Sequence, residues 1–326
     1  AVILVTNDIM MRIAAAACGV EVQEYKNDQI KESSYVGYRE IKTSREIIDD
    51  IYKKQSLAPE IFADEKPFVA NEYITLTDGN TSALCVYRDN CIRLLKDTTA
   101  FGIRPQNRLQ RFALDALLAP LVILRGPAGT AKTFLSMAAA LDKTYTDEFT
   151  RHTSSTSYDK IYIGRANVSS DEAFGFLPGE LEDKTRPLLG CFYSNLEDLL
   201  RKGNHEEDAQ IQIQIDDMME TGLLRVFPLA YIRGMSIKNS FIICDEAQNI
   251  GRSLIRDIVT RCGQGSKLVI LGDTNQIDVP FLDKTNSGLT YLAHNMKGST
   301  KCAQITFTEK ESVRSALATE ALNRLM

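Results

Sequence analysis

No stretch of this 326-residue sequence reaches the roughly 18 to 20 consecutive apolar residues that a bilayer-spanning helix needs. The first residues also lack the charged start and small-residue cleavage site of a secretory signal. A soluble, cytoplasmic protein with no membrane partner is expected. Histidine is scarce: His152, His205 and His294 lie far apart without ligand-type spacing and read as surface residues. The seven cysteines are odd in number, scattered, and never in a C-x-x-C pair, which argues against a disulfide framework or a zinc site. They read as small core residues in a reducing compartment. Basic residues are not in excess. Thirty-eight against 43 acidic side chains give a net charge of −5, so the overall footprint of a dedicated nucleic-acid binder is missing and any such partner must use a local groove. No zinc-finger or helix-turn-helix pattern is visible, and aromatics are not interleaved with basic runs. The chain is 44% apolar, ample for a packed core in one large domain or two ordinary ones.

Val2 to Val5 is a short apolar run of the kind found in strands buried on both faces, followed by Asp8 and an alanine-rich helix ending at Gly19. One such strand cannot stand alone. Either the rest of a small α/β domain precedes Ala1, the preferred reading, or this strand pairs with something later in the chain. Residues 28–66 look like a linker with one short helix, opened by the capping-box pattern of Thr43 and Glu46. Between 67 and 103, β-type runs at Tyr73 to Leu76, Ala83 to Tyr87 and Cys91 to Leu95 are separated by turn signals, predicting a small β subdomain.

From 104 to 326 strands alternate with helices, the signature of a mostly parallel α/β sheet covered on both faces. Strands are predicted at Leu121 to Leu124, Lys160 to Ile163, Leu224 to Phe227, Phe241 to Cys244, Lys267 to Leu271 and Gln304 to Phe307. The segment 201–220 reads as a charged excursion. After Thr308 and Glu311 the pattern ends in an amphipathic helix carrying Val313, Ala316, Leu317 and Ala321.

Gly126, Pro127, Ala128, Gly129, Thr130, Ala131, Lys132 and Thr133 follow one predicted strand and open a helix, the context a phosphate-binding loop requires. Backbone N–H groups and the helix N-terminus would surround the phosphates of ATP, Lys132 would reach the β and γ oxygens, and Thr133 would ligate Mg²⁺. Ala131 stands where glycine is expected, a strained choice if that residue needs a positive φ. A second strand delivers Asp245, suited to holding the metal, and Glu246, suited to orienting the attacking water. A third leads to Asp273 and Gln276, the latter a candidate γ-phosphate sensor.

Together these segments resemble the PhoH family of ATPases, which are similar to the nucleotide-binding core of superfamily 1 helicases. The resemblance runs over residues 105–326 through the phosphate loop, Ile163 to Asn167, Gly175 to Gly179, Pro228 to Gly234, Cys244 to Asn249, Arg261 with Gly265 to Lys267, Gly272 with Gln276 to Asp278, Ser287 to Leu289, and Val313 with Arg314. It implies a RecA-like P-loop domain assembled as a homo-oligomeric ring, Asp245 and Glu246 in Walker B roles, adenine recognition at Gln110, and single-stranded RNA as partner. It also implies that residues 1–27 are the end of a PIN-type ribonuclease domain, in which Asp8 alone cannot form a nuclease site. Arg314, Arg165, Arg233 and Arg261 fall in matching motifs and are unranked candidates for the arginine that stabilises the transferring phosphate. Arg256 sits on the polar side of a helix and reads as a solvated residue. The expected activity is Mg²⁺-dependent ATP hydrolysis driving a motor or remodeller of RNA. The rivals are a ring-forming binding protein regulated by nucleotide, with slow hydrolysis, and a small-molecule kinase, which the water-activating position of Glu246 disfavours.

Overall fold

The computed structural model describes residues 2–6, 8–23, 30, 34–145, 157–166, 190–201, 208–232, 235–312, 320 and 324. Its centre is a six-stranded, all-parallel sheet made by β8 (Leu121–Arg125), β9 (Lys160–Arg165), β10 (Leu224–Pro228), β11 (Ser240–Asp245), β12 (Lys267–Gly272) and β13 (Cys302–Thr306), in the order β10-β9-β11-β12-β8-β13. The two-residue period of a strand divides each apolar run between two cores. Val122, Leu124, Phe241, Ile243, Val269 and Leu271 join the core that holds α3 (Arg108–Ala116) and α4 (Lys132–Thr144). Leu121, Ile123, Ile242, Cys244, Leu268 and Ile270 join the opposite core, with α7 (Arg252–Arg261) and α8 (Gly288–Asn295). Burial on both faces is the reason these strands read as continuous hydrophobic runs. The architecture is α/β, as the alternation of strand and helix signals predicts, and RecA-like, as the family resemblance implies. The charged excursion contains a helix, α6 (Asp208–Glu220), which follows α5 (Gly190–Arg201) and buries Ile211, Ile215 and Met218.

The small β subdomain is larger than its predicted three strands. A five-stranded sheet runs β3-β5-β6-β7-β4, in which β5 (Tyr73–Thr77), β6 (Ser82–Arg88) and β7 (Cys91–Leu94) are flanked by β3 (Tyr38–Lys42) and β4 (Ser56–Leu57). Two strands therefore come from the segment expected as a linker, together with α2 (Arg45–Lys54), whose Ile48 and Ile51 pack under the sheet with Ile41, Ile74 and Leu76. This is the short helix expected in that segment, although its N-cap is Ser44, without a side-chain cap bond, rather than the Thr43–Glu46 capping box. The sheet is joined to the α3 layer by shared packing: Tyr73 stacks on Phe112 at 4.9 Å, and Tyr73 Oη and Arg88 Nη2 donate to Asp115 Oδ2 at 2.7 and 2.5 Å. Asn71 Nδ2 donates to the carbonyls of Thr300 and Cys302.

The first strand, β1 (Ile3–Val5), pairs in parallel with β2 (Glu21–Gln23) across α1 (Ile9–Ala17), so its partner lies in this chain. Within this chain Ile3 and Val5 are 42% and 49% exposed. Asp8 caps α1, accepting from Met11 N at 3.0 Å. Thr308 and Glu311 form the predicted capping box, and Glu311 begins no described long helix because residues 313–319 fall outside the described residues. Among the described residues, no helix is long and apolar enough to cross a membrane.

Candidate functional site

Three loops leave the C-terminal ends of β8, β11 and β12, the edge at which open parallel sheets bind ligands. The first carries the glycine-rich run. Gly126 has φ +134° and donates its N–H to Gly272 O at 3.1 Å; a Cβ there would come within 2.6 Å of Phe307 O, so no other residue fits. Thr130 is fully buried and donates Oγ1 to Pro127 O at 2.9 Å, closing the turn. Lys132 Nζ lies over the loop, donating to Gly126 O at 2.6 Å and Pro127 O at 2.9 Å. Those carbonyls hold the ammonium within the loop that has to receive anionic oxygens.

Ala131, at the N-cap of α4, has φ +65° and ψ +20°. An L-residue pays roughly 1–2 kcal/mol for this left-handed conformation, against roughly 0.5–1 kcal/mol of extra chain entropy that a glycine would lose on folding. Ala131→Gly is therefore expected to raise the melting temperature slightly, by up to about 1 kcal/mol of stability. A clear fall in a thermal melt would mean that the packing of the Ala131 methyl against the core outweighs its backbone strain.

At the end of β11, Thr133 Oγ1 donates to Asp245 Oδ2 at 3.1 Å, so the two candidate metal ligands adjoin. Asp245 is 8% exposed, and its carboxyl is shifted above the usual range by burial first and then by the neighbouring Glu246 charge; the Glu246 N–H, Thr133 and Arg165 oppose the shift. A divalent cation beside Thr133 would offset that cost, and the donor set suits a hard, oxygen-preferring ion. Glu246 is itself left-handed, with φ +56°. Both of its oxygens are engaged: Oε1 accepts from Arg165 Nη2 at 3.1 Å and Oε2 from Gln248 Nε2 at 2.6 Å.

Gln248, to which the sequence pattern assigned no role, ties the second loop to the third. Fully buried, it donates Nε2 also to Gln276 O at 2.9 Å and accepts Asp273 N at Oε1, 3.0 Å away. Gly272 makes room for it, since a Cβ there would meet Gln248 Oε1 at 2.5 Å. A buried glutamine two residues after a strand-end glutamate is the only signal the sequence offers for this. The loops enclose a cavity of about 260 Å³ lined by Lys132, Thr133, Asp245, Glu246, Asp273 and Gln276, with Asn195 contributed by α5. Asn195 lies in a segment with no motif, so nothing in the sequence marks it.

The other candidates are dispersed. Gln110 is buried near the start of α3, accepting Gln106 N at Oε1, and does not line this cavity. Arg165 reaches the site through Glu246, whereas Arg261 is exposed at the end of α7, at the opposite edge of the sheet where β12 begins. Arg256 is exposed, matching the solvated reading. Arg233, Arg314 and the Gly175 to Gly179 motif lie outside the described residues. Ser312, two residues before Arg314, donates Oγ to Ala128 O at 3.3 Å, so this part of the chain reaches the phosphate loop.

A family model described as PhoH-like protein matches residues 102–325. The chain is 34% identical over 336 residues to Protein PhoH2 of Bacillus subtilis (strain 168), covering 99% of this chain and 72% of that protein. It is 29% identical to Protein PhoH2 of Mycolicibacterium smegmatis, over 99% of the chain and 71% of the relative. A solved SWI2/SNF2 ATPase core of Sulfolobus solfataricus in complex with dsDNA aligns with a TM-score of 0.34 and 13% identity, covering 66% of this chain and 46% of that one, a likeness too loose to carry weight.

Proposed function

The chain belongs to the PhoH family, and from that premise we propose that it is a Mg²⁺-dependent ATP hydrolase acting as a motor or remodeller on single-stranded RNA. The observation that carries the hydrolase reading is the convergence of Lys132, the adjoining Thr133 and Asp245, and Glu246 on one cavity at the strand ends. In this reading the N–H groups of residues 128–133 and the N-terminus of α4 hold the phosphates. Lys132 exchanges the carbonyls of Gly126 and Pro127 for β and γ oxygens. Thr133 and Asp245 hold the magnesium ion, which when bound neutralises charge on the phosphates. Glu246 orients the attacking water and takes up its proton, while Gln276 faces the γ-phosphate and reports its loss to Gln248. Arg314 or Arg165 stabilises the charge that develops on the transferring group, and Gln110 contacts the adenine. Residues 104–326 are the ATPase unit, assembled as a ring in the cytoplasm. Residues 1–27 belong to a PIN-type ribonuclease domain to which the ATPase is coupled.

A second reading, a nucleotide-regulated binding protein with slow hydrolysis, is favoured by one feature. With Arg165 and Gln248 each bonded to one of its oxygens, Glu246 has only its remaining lone pairs to offer a water. ATP turnover measured with and without single-stranded RNA separates the two. Turnover raised by RNA supports the motor; slow turnover indifferent to RNA, with ATP still bound, supports the switch and removes RNA from the function.

A further inference from the structure

We propose that the groove between the β subdomain and the start of α3 binds a single-stranded nucleic acid through its phosphates. This rests on the reading of RNA as partner and adds the surface that would hold it. The groove has a volume of about 1060 Å³ and shares no lining residue with the phosphate-loop cavity. Its walls carry four cations, Lys96, Arg104, Arg108 and Arg111, against the single carboxylate of Asp97. On a chain of net charge −5 that is a local reversal of sign, and it is the kind of local groove a nucleic-acid partner of so acidic a protein requires.

The cations are not consumed by ion pairs. Arg108 Nη1 meets Glu40 Oε2 at 2.9 Å and Arg111 Nη2 meets Asp97 Oδ1 at 2.5 Å, but both carboxylates are half or more exposed. Such exposed pairs contribute little and yield readily to a phosphate. Arg111 Nε is buried with no hydrogen-bond partner among the described residues. Lys96 and Arg104 are exposed and make no ion pair among the described residues. Tyr52, from α2, adds an aromatic ring to the lining; it is 52% exposed while its hydroxyl donates to Ser82 O at 3.0 Å. Cations that track a backbone beside a ring that stacks a base form the pattern of sequence-tolerant single-strand binding. An acidic peptide would use the cations and leave the ring without a role.

The test is binding of a fluorescein-labelled oligouridylate to the full chain, followed by anisotropy over a range of salt concentrations, for the parent and for the double variant Lys96→Ala/Arg104→Ala. Each phosphate contact contributes about 0.7 to the salt slope for a single strand, so losing two should lower the slope by about 1.4. Neither residue lines the ATP cavity, so turnover without RNA is expected to be unchanged, which also reports that the variant is folded. Tyr52→Trp would introduce the sole tryptophan of a chain that has none, and its emission should fall when oligouridylate binds. If the parent binds oligouridylate and the double variant binds it with the same affinity and slope, the groove is wrong and the RNA reading survives. If the parent binds none, both fail. Binding of fluorescein-labelled polyglutamate by the parent but not by the double variant, with no oligouridylate binding, would give the groove to a protein partner and overturn the proposal.

Discussion

Glu246→Gln is expected to lower ATP turnover by about 10²- to 10⁴-fold, the usual contribution of a positioned proton acceptor, while ATP affinity stays within a few-fold of the parent. In the proposed reading the phosphates are held by other groups, the loop N–H donors and Lys132, so binding and turnover separate. The substitution also perturbs the local network in a defined way. A glutamine offers one acceptor and one donor where the carboxylate offers two acceptors, so Arg165 and Gln248 cannot both keep their bonds. Turnover would be read as phosphate release under saturating ATP, and affinity by calorimetry on the same preparation. Equal loss of both quantities would mean that Glu246 supports the fold of the loop rather than the reaction.

The second large effect concerns stability and lies at the far edge of the sheet. Lys267, at the start of β12, is 2% exposed; its Nζ donates to Ala119 O and sits 5.7 Å from the centre of the Phe241 ring. Burial lowers its pKa from 10.5 to about 7, with Cys262 opposing the shift. The folded state thus releases a proton that the unfolded chain keeps until about pH 10.5, and the unfolded state binds more protons between these values. Stability contributed by this group is lowest below pH 7 and rises through that window by about 1.4 kcal/mol per pH unit. Lys267→Met removes the buried charge and keeps the apolar stem. In denaturant titrations the variant should exceed the parent at pH 6 by a few kcal/mol, on the order of 5 at most. That difference should shrink as pH rises toward 10. A variant less stable than the parent at pH 6 would show that the bond to Ala119 O outweighs the desolvation of the ammonium.

The six strands and the candidate residues at their ends were legible because the central sheet is buried on both faces, which writes apolar runs such as Phe241 to Cys244 directly into the sequence, with the candidate residues at fixed offsets behind them. Ala131 was legible as a strained position for the same reason: the loop demands a positive φ there whatever residue occupies it. The β subdomain was only half legible. β3 and β4 are short edge strands next to a helix dense in charge, and their membership depends on pairing with β5 and β7 across 30 or more intervening residues, which no local pattern reports. Gln248 and Asn195 were hidden because their part in the site follows from three-dimensional convergence. The coupling of Glu246, Asp273 and Gln276 through one buried amide is a property of the assembled loops.

One titration tests the phosphate-loop assignment most directly: ATP into the Glu246→Gln chain, with Mg²⁺ and with the metal chelated, while phosphate release is followed. Saturable binding that weakens without Mg²⁺, with no appreciable release, is the expected result. No saturable binding of ATP in either condition would contradict the assignment of the cavity formed by Lys132, Thr133 and Asp245 as a nucleotide site.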